Sequence, residues 1–265
     1  MIFLKRLKNI FKNNKTRNFL IAVVLLLATY LLIVFLTEND NSIRGDLPVS
    51  NMKNTGNNNI ENILKDELYI IQSSSEEGEG YEIEIYYPYT TDDNLNSYIN
   101  AKLELYKKDI KFQASNYENE IMEGKYRLNI SFDVTKSKDE KYVSFIFIVT
   151  QDVKYLHPKE TIFVINYDKE NKKIIMSEDI ETTYPNLYYN LSEYTYKELL
   201  KKEEIKNMGA LKMLEEGTRA NKYNFMDLAF KENSILVIFE KYQVAPYVLG
   251  RFEVEVPIEY LKNNE

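Results

Sequence analysis

One imidazole, His157, is the only side chain in this 265-residue chain with an ordinary pKa near neutrality, and it sits in "KYLHP", directly before Pro158. The chain has no cysteine. Zinc and di-metal hydrolases gather two or three imidazole or thiolate ligands, so this composition excludes that chemistry and any thiol nucleophile. No serine stands in a G-x-S-x-G elbow, and the eight glycines form no phosphate-cradling loop. Carboxylates remain. Glu82/Glu84 and Glu253/Glu255 are i, i+2 pairs, a spacing that puts both acids of a pair on one face of a strand. Glycosidases work with two such groups. These acids, however, alternate with Tyr81, Ile83 and Ile85, and with Phe252, Val254 and Val256. That places them on the solvated side, where nothing separates their pKa values for acid and base roles. They read as solvated sheet faces, and His157 reads as a loop or capping residue. No catalytic residue, metal or cofactor is expected.

Binding chemistry is easier to find. The stretch "KYQVAPYVLGRFEVEVP", Lys241 to Pro257, begins at the end of a strand, breaks at Ala245-Pro246, reaches Gly250 and resumes as a strand. Pro246 fixes φ and removes a donor, so pairing must stop there. Tyr242 and Tyr247 offer stiff surfaces with a polar tip, and Gly250 permits a return at positive φ. The "KYLHP" loop at the same sheet end would add Tyr155 and His157. The candidate ligand-binding set is therefore Tyr242, Pro246, Tyr247, Gly250, Tyr155 and His157. The same residues also suit two plain bulged connections with tyrosines packed on the rim.

Stepping out from these loops, periodicity predicts the elements that carry them. "YEIEIYY" is a half-exposed strand stopped by Pro88. Thr91-Asp92 caps a helix whose stripe runs through Leu95, Tyr98, Ile99, Leu103, Tyr106 and Ile110. "KYRLNISFDVT" alternates through Leu128, Ile130, Phe132 and Val134. "YVSFIFIVT" is almost continuously apolar, which predicts a central strand covered on both faces. "TIFVINYD" and "KIIMS" form a hairpin turning over 168–173. A helix is predicted from Tyr184 to Ile205 and a shorter one over "GALKMLEEGT". "FMDLAFKENSILVIFEKY" is a hairpin turning over 231–234, and "RFEVEV" is the last strand. Runs of neighbouring strands with helices set apart predict an α+β fold. Its sheets should be mainly antiparallel, with two principal helices packed on them, in two subdomains (63–160 and 161–265).

The N-terminal part differs in kind. Residues 1–18 hold six cations and no acid, a basic tail expected in the cytoplasm. Residues 19–36, "FLIAVVLLLATYLLIVFL", contain no charge, Pro or Gly. As a helix they span about 27 Å, close to a bilayer's hydrocarbon thickness. This predicts a single transmembrane helix, N-terminus inside and C-terminal domain outside the cell membrane. A cleaved signal peptide is the alternative, although the run is long and no small-x-small site follows Leu36. The polar, Asn-rich residues 37–62 read as a flexible linker. Beyond the span, 28 Lys and Arg face 41 Asp and Glu, a formal charge of −13. That charge disfavours nucleic acid and suits a basic partner, and it also serves solubility. The abundant Tyr, Asn, Lys and Ile match AT-rich codons and point to a Gram-positive bacterium.

"FEKYQVAPYVLGRFEVEVPIEYL", Phe239 to Leu261, resembles the C-terminal signature of the extracytoplasmic domain family shared by the anti-sigma factor RsiV and the peptidoglycan deacetylase PdaC. The family pattern Y-x-V-A-P-x-x-x-G, then a strand and Pro, falls here on Tyr242, Val244, Ala245, Pro246, Gly250 and Pro257. Upstream, "VTQDVKYLHPKETIFVINYDKENKKIIMSEDI" resembles the family's His-Pro loop, strand and hairpin. The likeness covers roughly residues 63–261, the first half by pattern alone. It implies a non-catalytic binding domain outside the membrane. In the RsiV branch such a domain recognises lysozyme, a strongly basic protein. The PdaC branch adds a deacetylase domain that this sequence, ending at Glu265, is not expected to carry. Some 18 basic residues before the span are short for holding a sigma factor, which argues against that partner. A lysozyme-binding module of envelope stress is thus the first expectation, with a peptidoglycan glycan-binding module and an anti-sigma sensor with a shortened tail as alternatives. One departure concerns the site. Family members can carry an aromatic two residues after the Pro, where this chain has Tyr247 one residue after and Val248 next.

Overall fold

Alternating strands build the larger of two sheets. The computed structural model describes residues 68–116, 124–153 and 158–263; the expected tail, transmembrane helix and linker lie outside them. Among the described residues no helix is long and apolar enough to cross a membrane. Six strands stand in sequence order: β1 (Tyr69–Gly78), β2 (Tyr81–Thr90), β3 (Tyr126–Lys136), β4 (Tyr142–Asp152), β5 (Lys159–Asp168) and β6 (Lys173–Ile175). Neighbours are antiparallel except β2 and β3, which run parallel. A parallel pair needs a long crossover, and α1 (Asp93–Asn116) provides it. Asp92 caps that helix as expected, its Oδ1 accepting from the Asn94 and Leu95 N–H groups at 2.8 and 3.3 Å.

Central β4 is buried on both faces. Val143, Phe145, Phe147 and Val149 pack under Leu95, Ile99, Leu103 and Ile110 of α1. Ile146, on the opposite face, meets a second, three-stranded antiparallel sheet made of β7 (Leu228–Lys231), β8 (Ser234–Phe239) and β9 (Phe252–Pro257). Ala229, Leu236 and Ile238 complete that contact. Five short helices, α2 (Ser177–Thr183), α3 (Leu187–Leu200), α4 (Glu203–Asn207), α5 (Leu211–Gly217) and α6 (Ile258–Asn263), contribute to the core on the far side of β7–β9. There Phe239, Val237, Val254 and Val256 meet Leu191, Leu199 and Leu214. The fold is α+β, layered as helix, mixed six-stranded sheet, three-stranded sheet and helices.

Four details depart from the sequence reading. β1 was not predicted: "QSSSEE" is polar because an edge strand is half solvated. Pro88 does not stop β2 but lies within it. The β2–β3 pairing ends at Ile85, so Pro88 sits where β2 has β1 as its only partner, and an edge tolerates the missing donor. The long helix expected from Tyr184 to Ile205 is broken. Pro185 biases Tyr184 to extended backbone, Asn186 turns at φ 57°, and α3 starts only at Leu187. It ends at Leu200, where Lys202 is extended. The final helix α6 was also not predicted. β5 and β6 lie almost wholly beyond residue 160 and complete the six-stranded sheet.

Candidate functional site

The connection between β8 and β9, residues 240–251, has an anchored half and a presented half. Val244 and Ala245 are fully buried in the core beneath β7–β9. The break that the sequence places at Ala245-Pro246 is thus where the chain leaves the core. Ahead of it, the Glu240 N–H donates to Gln243 Oε1 and the Gln243 N–H to Glu240 O, both at 3.1 Å, closing a turn. This turn holds Tyr242 at φ 69°, a left-handed conformation uncommon outside glycine. Gln243 Nε2 then donates to Asn224 O at 2.8 Å and Gly217 O at 3.3 Å. Gly217 has to be glycine for closeness: a Cβ there would stand 2.1 Å from Gln243 O.

After the break, Pro246 opens a 3-10 turn over Tyr247–Leu249. Gly250 closes it at φ 75°, ψ −158°, a region open essentially to glycine alone. The presented rings are Tyr242 and Tyr247, with centroids 5.3 Å apart and planes at 37°. Tyr242 is 65% exposed and Val248 74%, while Tyr247 is half-buried. The Tyr247 hydroxyl donates to Pro158 O at 3.1 Å, and Lys241 Nζ lies 5.2 Å from its ring centroid. Lys241 also pairs with Glu160 at 3.2 Å. One ring is therefore clamped and supports a freer neighbour.

Of the predicted set, Tyr242, Pro246, Tyr247 and Gly250 come together here. Tyr155 and His157 lie outside the described residues, but Pro158, the last residue of "KYLHP", touches Tyr247. Gln243, Gly217 and Asn224 escaped the sequence reading. Gly217 alone left a trace, as the glycine that ends a helix.

Acids gather at the root of the connection. Glu240 Oε1 accepts the Ile162 N–H at 2.9 Å, on the side of β5 away from β4. Burial, and then the Glu240 charge, push the Asp227 carboxyl up to about 7. Burial raises the Tyr106 phenol as well, helped by Glu240 and Asp227. The strand-borne carboxylate pairs behave otherwise. Glu82 is held below the usual range by Arg127 and then Lys125, while Glu253 and Glu255 pair with Arg251 at 3.2 Å and Lys231 at 2.5 Å. All three acids lie on exposed faces. Among the described residues no three His, Asp or Glu side chains converge as a metal site would need.

Comparison with known proteins adds a likeness to one family. Residues 160–259 match the family described as "Protein of unknown function (DUF3298)". The peptidoglycan-N-acetylmuramic acid deacetylase PdaC of Bacillus subtilis (strain 168) is 25% identical over 190 residues, 71% of this chain. The match takes in 39% of that protein, so the chain spans about two fifths of its relative's length. A DUF3298 family protein from Pseudomonas aeruginosa PAO1 shares the fold at a TM-score of 0.52 and 15% identity, over 73% of this chain and 90% of its own. Residues 160–259 are thus similar to the DUF3298 family, and that stretch includes Tyr242, Pro246 and Gly250.

Proposed function

We propose that the chain is a membrane-anchored extracytoplasmic binding protein, not an enzyme, and that its domain grips a basic wall-active protein, lysozyme being the reading of choice. The observation that carries this is the β8–β9 connection. Its backbone is fastened to the core by Val244, Ala245 and Gln243, and it leaves Tyr242 and Val248 in solvent beside the clamped Tyr247. Rigid aromatic anchors on a pinned loop lose little entropy on binding, which is what a recognition site requires. The formal charge of −13 beyond residue 36 favours a cationic partner and speeds its encounter. The basic tail and the apolar run at 19–36 supply the tether, with the domain outside.

The test is retention of hen lysozyme by the immobilised full-length chain in micelles, across a salt series. Retention should be strongest at low ionic strength. The Tyr242→Ala/Tyr247→Ala variant should lose most of it with only a small fall in melting temperature, the Tyr247 bond to Pro158 O being lost. No retention at low ionic strength rejects the lysozyme reading. Cosedimentation with purified cell wall, free of lysozyme, would favour the glycan-binding alternative.

A further inference from the structure

A second concave surface lies at the other end of the three-stranded sheet. Phe239 of β8 pairs with Phe252 beside the connection, whereas Ser234 pairs with Pro257 beside this cleft. The two are separated by the length of β8, about 20 Å. The β3–β4 turn, the β7–β8 turn and the start of α6 enclose about 890 Å³, the size of a small-molecule site. The two turns are locked together: the Glu232 N–H donates to Lys136 O at 2.7 Å and the Lys138 N–H to Glu232 O at 3.0 Å.

Tyr184 makes this cleft more than a hollow. It lines the cleft and is only 6% exposed, yet its hydroxyl has no hydrogen-bond partner among the described residues. The ring is buried but solvent in the cleft reaches the hydroxyl, so a ligand hydroxyl can take the place of water there. Burial, with Tyr142 and Asp139 nearby, raises its pKa, so it stays neutral and can both donate and accept. Tyr142, stacked on Phe230 at 4.5 Å and 20°, adds an aromatic wall. The lining carries two lysines, Lys138 and Lys262, and three acids, Asp139, Glu232 and Glu259, none of them ion-paired among the described residues. Two cations against three anions give a slightly negative lining, which disfavours a phosphate or a carboxylate. They do give donors and acceptors for hydroxyls, beside rings that suit apolar C–H faces.

We infer that this cleft binds a neutral, hydroxyl-rich ring compound, a saccharide, with the Tyr184 hydroxyl as a hydrogen-bonding group on its floor. The inference does not depend on the lysozyme reading. Calorimetric titration of the full-length chain, in a detergent without sugar headgroups, tests it with chitotriose and maltotriose, and with inorganic phosphate and tetra-alanine as contrasts. One saturable event with at least one trisaccharide is expected. Tyr184→Phe should weaken it about tenfold at an unchanged melting temperature, since only an unpaired hydroxyl is removed. Lys138→Ala/Lys262→Ala, on the rim and away from the core, should weaken it as well, whereas Tyr242→Ala/Tyr247→Ala should leave it unchanged. Saturation by neither sugar, uptake of phosphate or peptide instead, or equal affinity in Tyr184→Phe would each overturn the assignment. Loss of sugar binding in the Tyr242/Tyr247 variant would overturn it too, by moving the sugar to the connection.

Discussion

Gly217 and Asp227 shape the connection from outside it. A methyl group at residue 217 would meet backbone, not a flexible side-chain tip, so something must shift. Gly217→Ala should therefore cost about 1–3 kcal/mol, the usual range for forced overpacking, and should free Gln243 from Asn224. Chemical denaturation reads the first effect and weakened lysozyme retention the second. Asp227 makes a pH prediction. Its carboxyl is raised to about 7 in the folded protein, above an ordinary value of about 3.9 unfolded. The folded state thus holds a proton that the unfolded state has released, and this group's contribution falls as pH rises from about 4 through about 7. Asp227→Asn removes the dependence. Its stability relative to the parent should climb across that window, by on the order of 4 kcal/mol in total. A constant gap between the two melting curves would refute the assignment. The exposed tyrosines were legible because aromatic residues around a Pro-kinked turn have little core to enter. Gln243 was not, because its partners lie 19 and 26 residues away.

At the scale of elements, β7 is an edge strand whose outer groups are served by side chains of the other sheet. The Phe230 N–H donates to Ser144 Oγ at 2.7 Å, Asn166 Nδ2 donates to Leu228 O at 2.8 Å, and Thr135 Oγ1 donates to Phe230 O at 2.8 Å. Ser144 in turn donates to Asn166 Oδ1. These polar side chains stand where a neighbouring strand would, inside a buried seam. Removing one strands its partners, at about 1–3 kcal/mol each. Ser144→Ala and Asn166→Ala should each destabilise by that much, and the double variant by less than their sum, because they share one network. Additive losses in a thermal-melting cycle would show the two to be independent. Asn190 on α3 points the other way. Both polar atoms of its buried amide lack a partner among the described residues. Asn190→Leu should accordingly gain about 1 kcal/mol. β3, β4 and β9 were legible because one face or two faces of a sheet impose a period on the sequence. Ser144 was visible only as a polar residue in an apolar run, since its partner on β7 is 86 residues distant. Nor does alternation reveal which strands leave to form a second sheet. That choice is made by contacts such as Ile146 against Leu236, far apart in sequence.

For the whole molecule, long-range attraction and contact recognition are separable jobs that one site is often asked to do. If lysozyme is the partner, the acidic surface would act at a distance and the tyrosines in contact, so the two should divide between association and dissociation. Glu82 and Glu84 provide a clean case. They face solvent on β2, three positions from β5 in the sheet, so roughly 14 Å separates their strand from the one that meets Glu240. That exceeds the screening length of about 10 Å at 0.1 M salt but falls well inside the 30 Å found at 0.01 M. Glu82→Gln/Glu84→Gln should therefore slow lysozyme association a few-fold in dilute buffer and leave it unchanged at physiological salt, with the dissociation rate constant throughout. Tyr242→Ala should do the opposite, raising dissociation at every salt concentration and sparing association. Stopped-flow mixing with lysozyme measures both rates. If the two carboxylates governed dissociation, the partner would be lying on the six-stranded sheet, and the β8–β9 connection would be reduced to a well-packed turn.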